Sequence, residues 1–233
     1  GIRENFNILQ RIAEGAAMMT DTTLSRRIVG AAYPKHYNRP VAMAMAENIY
    51  QVGLPEWSEE DHIFARALQT MMGEAEPAGL ATEVAGVEEP ASSPVSGPSD
   101  DIGDVSWNVP TVTLRFPANV PGMQAHHWSS AMAMATPIAH KGAAAGAKVV
   151  ATTMLDLLMD EHLVQEAKNY FNDIQTANEQ YMPFIGPDDD PAIEKNAEIM
   201  AQFKPILEEY YYDPSRYETY LEQLGITYPQ LAP

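Results

Sequence analysis

The chain has 233 residues, 45% of them hydrophobic and 20% charged, with a formal net charge of -18, no cysteine and a sequence pI of about 4.5. This is the profile of a globular protein. Its 14 Lys and Arg against 32 Asp and Glu cannot build a phosphate-binding face, which excludes nucleic acid and disfavours an anionic membrane surface as partners. Without cysteine there is no disulfide framework and no thiol nucleophile, so any metal must be held by His, Asp or Glu. The opening Gly1-Ile2-Arg3-Glu4-Asn5-Phe6 lacks the basic-then-apolar form of a signal peptide and reads as the middle of an amphipathic helix. No apolar run reaches the ~18–20 residues that span a bilayer, and the expected location is cytoplasmic.

Ile2, Phe6, Leu9, Ile12, Ala13, Ala16 and Ala17 recur at spacings of three and four, which predicts a one-sided helix over residues 2–19. Thr22 to Gly30 is rich in β-branched residues and predicts a strand. Tyr33 to Pro40 is turn-rich, and Pro40 suits the first turn of a helix carrying Val41, Met45, Ile49 and Val52 on one side. Such a helix–strand–helix unit has too few strands to make a sheet alone. Ser58 with Glu60 and Asp61 forms an N-cap and acidic first turn, and the helix behind it runs through Ile63, Phe64, Ala67, Leu68 and Met71. Residues 73–99 have no periodicity. Val109 to Phe116 alternates like a strand. Further helices are predicted over about 138–159, where Gly142 to Ala147 permit close packing, and over about 161–176, 191–209 and 214–223.

Two loops flank the second predicted strand. One carries Asp101 and Asp104, the other His126 and His127. Carboxylates and imidazoles are ligands that zinc, manganese and cobalt accept, and adjacent histidines cannot easily both face one site. Trp128 is a packing residue or a substrate stacker. His36 and Asn38 share a loop and could donate hydrogen bonds to a substrate carboxylate, although Asn38 also suits a turn. His140-Lys141 could stabilise a nearby acidic group, while His62 and His162 fall on polar, solvated helix faces. The pairs Glu59-Glu60, Glu88-Glu89 and Glu208-Glu209 read as solvated. No complete catalytic motif is present.

The runs Ile12 to Thr22, Ser99 to Thr111 (with its Gly-Asp-Val-Ser-Trp core), Ile138 to Gly142 and Tyr210 to Pro214 resemble amidohydrolases of the aminobenzoyl-glutamate utilisation type. These belong with the aminoacylases, carboxypeptidases and acetylornithine deacetylases. The resemblance implies an α/β fold: the C-terminal half of a zinc-exopeptidase-like catalytic domain (54–233) preceded by the end of an α/β lid that also dimerises (1–53). It implies zinc or manganese held in part by His126, with His127 standing where a small residue is usual. Asn38 falls near a lid asparagine that holds the substrate carboxylate, and Asp101 and Asp104 become second-shell or substrate-positioning groups. The other ligands and the catalytic base would lie in an N-terminal half, so the chain is expected to be inactive alone, to need a chain or segment carrying that half, and to form a homo-oligomer. Its substrate would be a small acylated amino acid or dipeptide. The alternative is a non-catalytic regulatory or scaffold subunit that kept the fold.

Overall fold

A computed structural model describes residues 1–86 and 100–229. The Glu88-Glu89 pair, and the part of the irregular segment that contains it, lie outside these residues. The regular elements are helices: α1 (Ile2–Met19), α2 (Arg39–Val52), α3 (Glu59–Met71), α4 (Ile102–Ser106), α5 (Trp128–Met134), α6 (Pro137–Met159), α7 (Glu161–Tyr170), α8 (Ala197–Glu208) and α9 (Tyr220–Gln223). A π turn, Phe171–Gln175, continues α7, and a 3-10 turn, Ile193–Asn196, precedes α8.

Two helix starts follow from local chemistry. Ser58 accepts from the Asp61 N–H while the Asp61 carboxylate accepts from the Ser58 N–H, a reciprocal box that satisfies two otherwise orphaned donors. Asn38 caps α2 by accepting from the Val41 N–H, with Pro40 in the first turn. The buried stripe of α3 is Asp61, Phe64, Ala65, Leu68 and Gln69, rotated from the predicted one. Ile63 and Met71 are exposed. The rotation places two polar groups inside, and both have partners. Asp61 receives Lys141 (2.6 Å) and the Tyr228 hydroxyl (3.0 Å). Gln69 accepts from the Gly79 N–H (2.8 Å) and donates to the Pro121 carbonyl (3.1 Å).

The core has two parts. Phe64, Ala65, Leu68, Leu80, Val120, Ala133 and Ile138 form one, covered by Trp57, Met123 and Tyr228. The other lies where α2 meets α6 and α7, around Val41, Met45, Ala46, Val149 and Ala167. Helix α6 has the length and apolarity of a membrane-crossing helix, but its small-residue face is packed against protein. A Cβ on Gly142 would lie 2.0 Å from the Pro117 carbonyl oxygen, and one on Gly146 would lie 3.3 Å from Phe116.

Among the described residues there is no strand. Segments 22–30 and 109–116, where strands are expected, are irregular and make no backbone hydrogen bond to each other; beside them the Asn38 N–H, at the start of α2, donates to the Thr111 carbonyl (2.9 Å). The accessible surface is 16417 Å², against about 10,400 Å² for a compact 25.7 kDa monomer. Helix α1 buries no residue, and Ile2, Leu9, Ile12 and Met19 stand exposed on it.

Candidate functional site

The histidine pair sits where a pinned loop enters α5. Gln69 holds the Pro121 carbonyl of this loop, and the Ser130 hydroxyl donates to the Gln124 carbonyl (2.8 Å). Ser130's own carbonyl accepts from the Asn119 amide (3.2 Å). The loop ends with His126 in the left-handed region, φ 57°, a conformation uncommon outside glycine in which histidine and asparagine are enriched. The next residue is turned inward. His127 Nδ1 accepts from the Ser129 N–H (3.3 Å) and lies 2.9 Å from the Ser129 hydroxyl, so it caps α5. His126 is exposed and, among the described residues, makes no hydrogen bond or ion pair. The two imidazoles are thus divided: one serves the helix and one is available. Trp128 is half exposed and leans on the His127 ring.

The acidic run forms a second cluster. A Cβ on Gly103 would lie 1.9 Å from the Tyr33 carbonyl oxygen, so only glycine lets α4 approach the 33–38 loop this closely. Asp104 accepts from the Tyr33 N–H (3.1 Å) and the Tyr181 hydroxyl (2.8 Å). Ser106 Oγ accepts from the His36 N–H (3.3 Å), and the Trp107 indole donates to the Pro34 carbonyl (2.9 Å). Lys35 pairs with Asp100 at 2.5 Å. The Gly-Asp-Val-Ser-Trp run is therefore a cradle for the loop that carries Asn38. Burial, then the Asp104 carboxylate, push the Tyr181 phenol up to about 12. The Lys35 ammonium holds the Asp100 carboxyl below its ordinary value. Asp101 is exposed and its side chain makes no capping bond.

The cradled loop ends in a buried polar chain. Asn38 has no exposed surface. Its Oδ1 accepts from Val41 N–H, and its Nδ2 donates to the Ala167 carbonyl (2.9 Å) and to Gln175 Oε1 (2.9 Å). Gln175 Nε2 then donates to His36 Nδ1. The His36 ring lies edge-on to Trp107 at 4.4 Å and stacks loosely with Phe171 at 6.5 Å. Its Nε2 is buried without a partner. Burial pushes the His36 imidazole below the usual histidine value, and the Glu179 carboxylate offsets part of that.

The structure thus joins Asn38 and Asp104 through one loop, while no hydrogen bond, ion pair or ring contact links either of them, or Asp101, to His126. Among the described residues no three His, Asp or Glu side chains lie together as a metal site. His126 fits the requirement for one ligand: an accessible imidazole with both nitrogens unengaged. Lys141 serves an acidic group as expected, and that group is Asp61. His62, expected to be solvated, has a buried Nδ1 with no partner. Gln175 gives no signal in sequence, lying inside a segment whose pattern predicts plain helix.

The chain is similar to one of the subunits of the p-aminobenzoyl-glutamate hydrolase of Escherichia coli (strain K12), 30% identical over 206 residues that cover 78% of this chain and 42% of that protein. It spans less than half the length of this relative. No family model and no solved structure matches the chain.

Proposed function

We propose that this chain forms part of a metal-dependent amidohydrolase that cleaves the amide bond of an N-acyl or peptide-linked amino acid such as aminobenzoyl-glutamate, and that it is inactive without the segment or chain supplying the other ligands and the base. The similarity to a hydrolase subunit carries this reading. The accessible, unengaged imidazole of His126, set apart from the capping His127, supports it.

In this reading His126 holds one coordination position of zinc or manganese. When bound, that ion polarises the amide carbonyl and lowers the pKa of water. His127 closes the helix end while His126 stays exposed and unengaged, so metal binding at His126 leaves the α5 cap in place. The Asn38 amide, buried here and bonded to the Ala167 carbonyl and Gln175, meets the substrate carboxylate only with Gln175 displaced, and Asp104 fixes the loop that positions Asn38. The α/β architecture belongs to the same proposal. Segments 22–30 and 109–116 become strands once further strands are provided, with residues 1–53 closing a lid and 54–233 completing the catalytic domain. Pairing of two copies through the lid is supported by the exposed apolar face of α1.

The test is hydrolysis of p-aminobenzoyl-glutamate by the complete assembly, with chelation and re-addition of zinc or manganese. Turnover that vanishes on chelation and returns with metal is the expected result. Metal-independent turnover, or turnover by these 233 residues alone, refutes the proposal. A complete assembly that binds no metal and turns nothing over points to the scaffold alternative.

A further inference from the structure

The polar chain at Asn38 contains a mismatch. Both ends of the Asn38 amide are fixed by backbone: Oδ1 by the Val41 N–H, Nδ2 by the Ala167 carbonyl. Gln175 must therefore present its oxygen to Asn38 and its NH2 to His36. That makes His36 Nδ1 an acceptor and places the ring proton of the neutral imidazole on Nε2. This Nε2–H is then a donor buried beside Trp107 and Phe171 with nothing to receive it. His36 is only 9% exposed, so water does not relieve it freely, and such an orphaned group calls for an explanation.

A carboxylate in place of the Gln175 carboxamide removes the mismatch. The two groups share a planar three-atom shape. One carboxylate oxygen would accept from Asn38 Nδ2, and the other from His36 with its proton on Nδ1. Nε2 then becomes a bare acceptor, which is cheaper to bury than a donor carrying a proton. The element presenting Gln175 is a single π turn at the end of α7, a local distortion that recurs at functional sites. Asp173 and Ile174 of the same turn, with Asn169 of α7, line an open groove of about 640 Å³ shared with Met43 and Ala44 of α2.

We propose that Gln175 is an internal occupant of a carboxylate-binding site made by Asn38 and His36, and that withdrawal of the π turn opens the site to a ligand carboxylate. The proposal rests on the reading of Asn38 as a substrate-carboxylate contact and adds His36 as its second half and Gln175 as its competitor.

The probe is N-acetylglutamate, titrated calorimetrically into the full chain, with the Asn38 side-chain amide followed by NMR. Gln175→Ala removes the competitor and should bind the probe about tenfold tighter than the wild type, the equivalent of losing a hydrogen-bonded occupant. Gln175→Glu supplies an internal carboxylate and should bind it at least about tenfold more weakly than Gln175→Ala. Equal binding by wild type and both variants, with the Asn38 amide perturbed in each, overturns the competition and leaves the Asn38 reading standing. Binding by none of the three overturns both. If Gln175→Ala fails to fold, tighter or unchanged binding by Gln175→Glu relative to wild type is sufficient to overturn the proposal.

Discussion

Neighbouring histidines usually defy separation by mutation, because removing either disturbs the loop they share. Here the backbone separates them. His126 has φ 57°, a conformation that costs an L-residue about 1–2 kcal/mol and glycine almost nothing. His126→Gly therefore deletes the exposed imidazole and relieves the strain, raising stability by up to about 1 kcal/mol once the added freedom of the unfolded chain is deducted. His127→Ala does the reverse. It leaves the His126 imidazole intact and deletes the side chain that accepts from Ser129 N–H at 3.3 Å. Loss of a cap costs about 1 kcal/mol. The assay has two readouts on each variant: the urea midpoint of the chain, and the metal content of the complete assembly by mass spectrometry. His126→Gly should hold or raise the midpoint while metal affinity falls by more than the 10–100-fold typical of losing a group that merely orients a ligand. His127→Ala should lower the midpoint and keep most of the metal. Equal metal loss in both variants, or greater loss in His127→Ala, refutes the division of roles.

Asp61→Ala breaks a fully buried carboxylate away from Lys141 at 2.6 Å, whose side chain is 36% exposed. Part of the pair faces water, so the cost is about 2–4 kcal/mol in the urea midpoint, below the full value for a buried pair. Burial opposes ionisation of Asp61, but Lys141, the Ser58 N–H and the Tyr228 hydroxyl outweigh it and hold its carboxyl below 3.8. Its contribution is therefore present above that pH and lost as the pH falls through the lowered folded value; equal wild-type and Asp61→Ala pH profiles in this acid range would contradict this. Gly142→Ala, which in an open helix would stabilise by about 1 kcal/mol, should instead cost about 2–3 kcal/mol, because the added Cβ meets backbone at Pro117 and Ala118. A stabilised variant would show that the 114–118 segment is free to move. Asp104→Asn removes the charge beside Tyr181 and should bring its phenol down from about 12 towards 10.0 in an ultraviolet titration, only part of the way because burial remains. An unmoved phenol would place Asp104 elsewhere.

The helices are legible because their signals are local. The apolar spacing of 2–19 gives the bounds of α1, and Ser58 with Asp61 gives the start of α3. The rotated face of α3 is not legible, since burying Asp61 depends on Lys141 and Tyr228, far along the chain. The Gly-Asp-Val-Ser-Trp run stands out in the sequence, but its role in holding Tyr33, Pro34 and His36 rests on a close backbone approach that no spacing reveals. Adjacency alone predicts that His126 and His127 part company, but which one turns inward depends on Ser129. Gln175 is invisible because a π turn has no composition of its own.

Two observations bear on the lack of strands among the described residues. One concerns hydrogen bonds: segments 22–30 and 109–116, where strands are expected, make no backbone hydrogen bond to each other. The other concerns area. The surface exceeds that of a compact monomer of this mass by about 6,000 Å². A chain that merely lacked strand propensity would show the first feature without the second, because helices could close over their own apolar faces. Under the proposed architecture, a sheet completed by other residues would account for both the irregular 22–30 and 109–116 segments and the bare apolar face of α1.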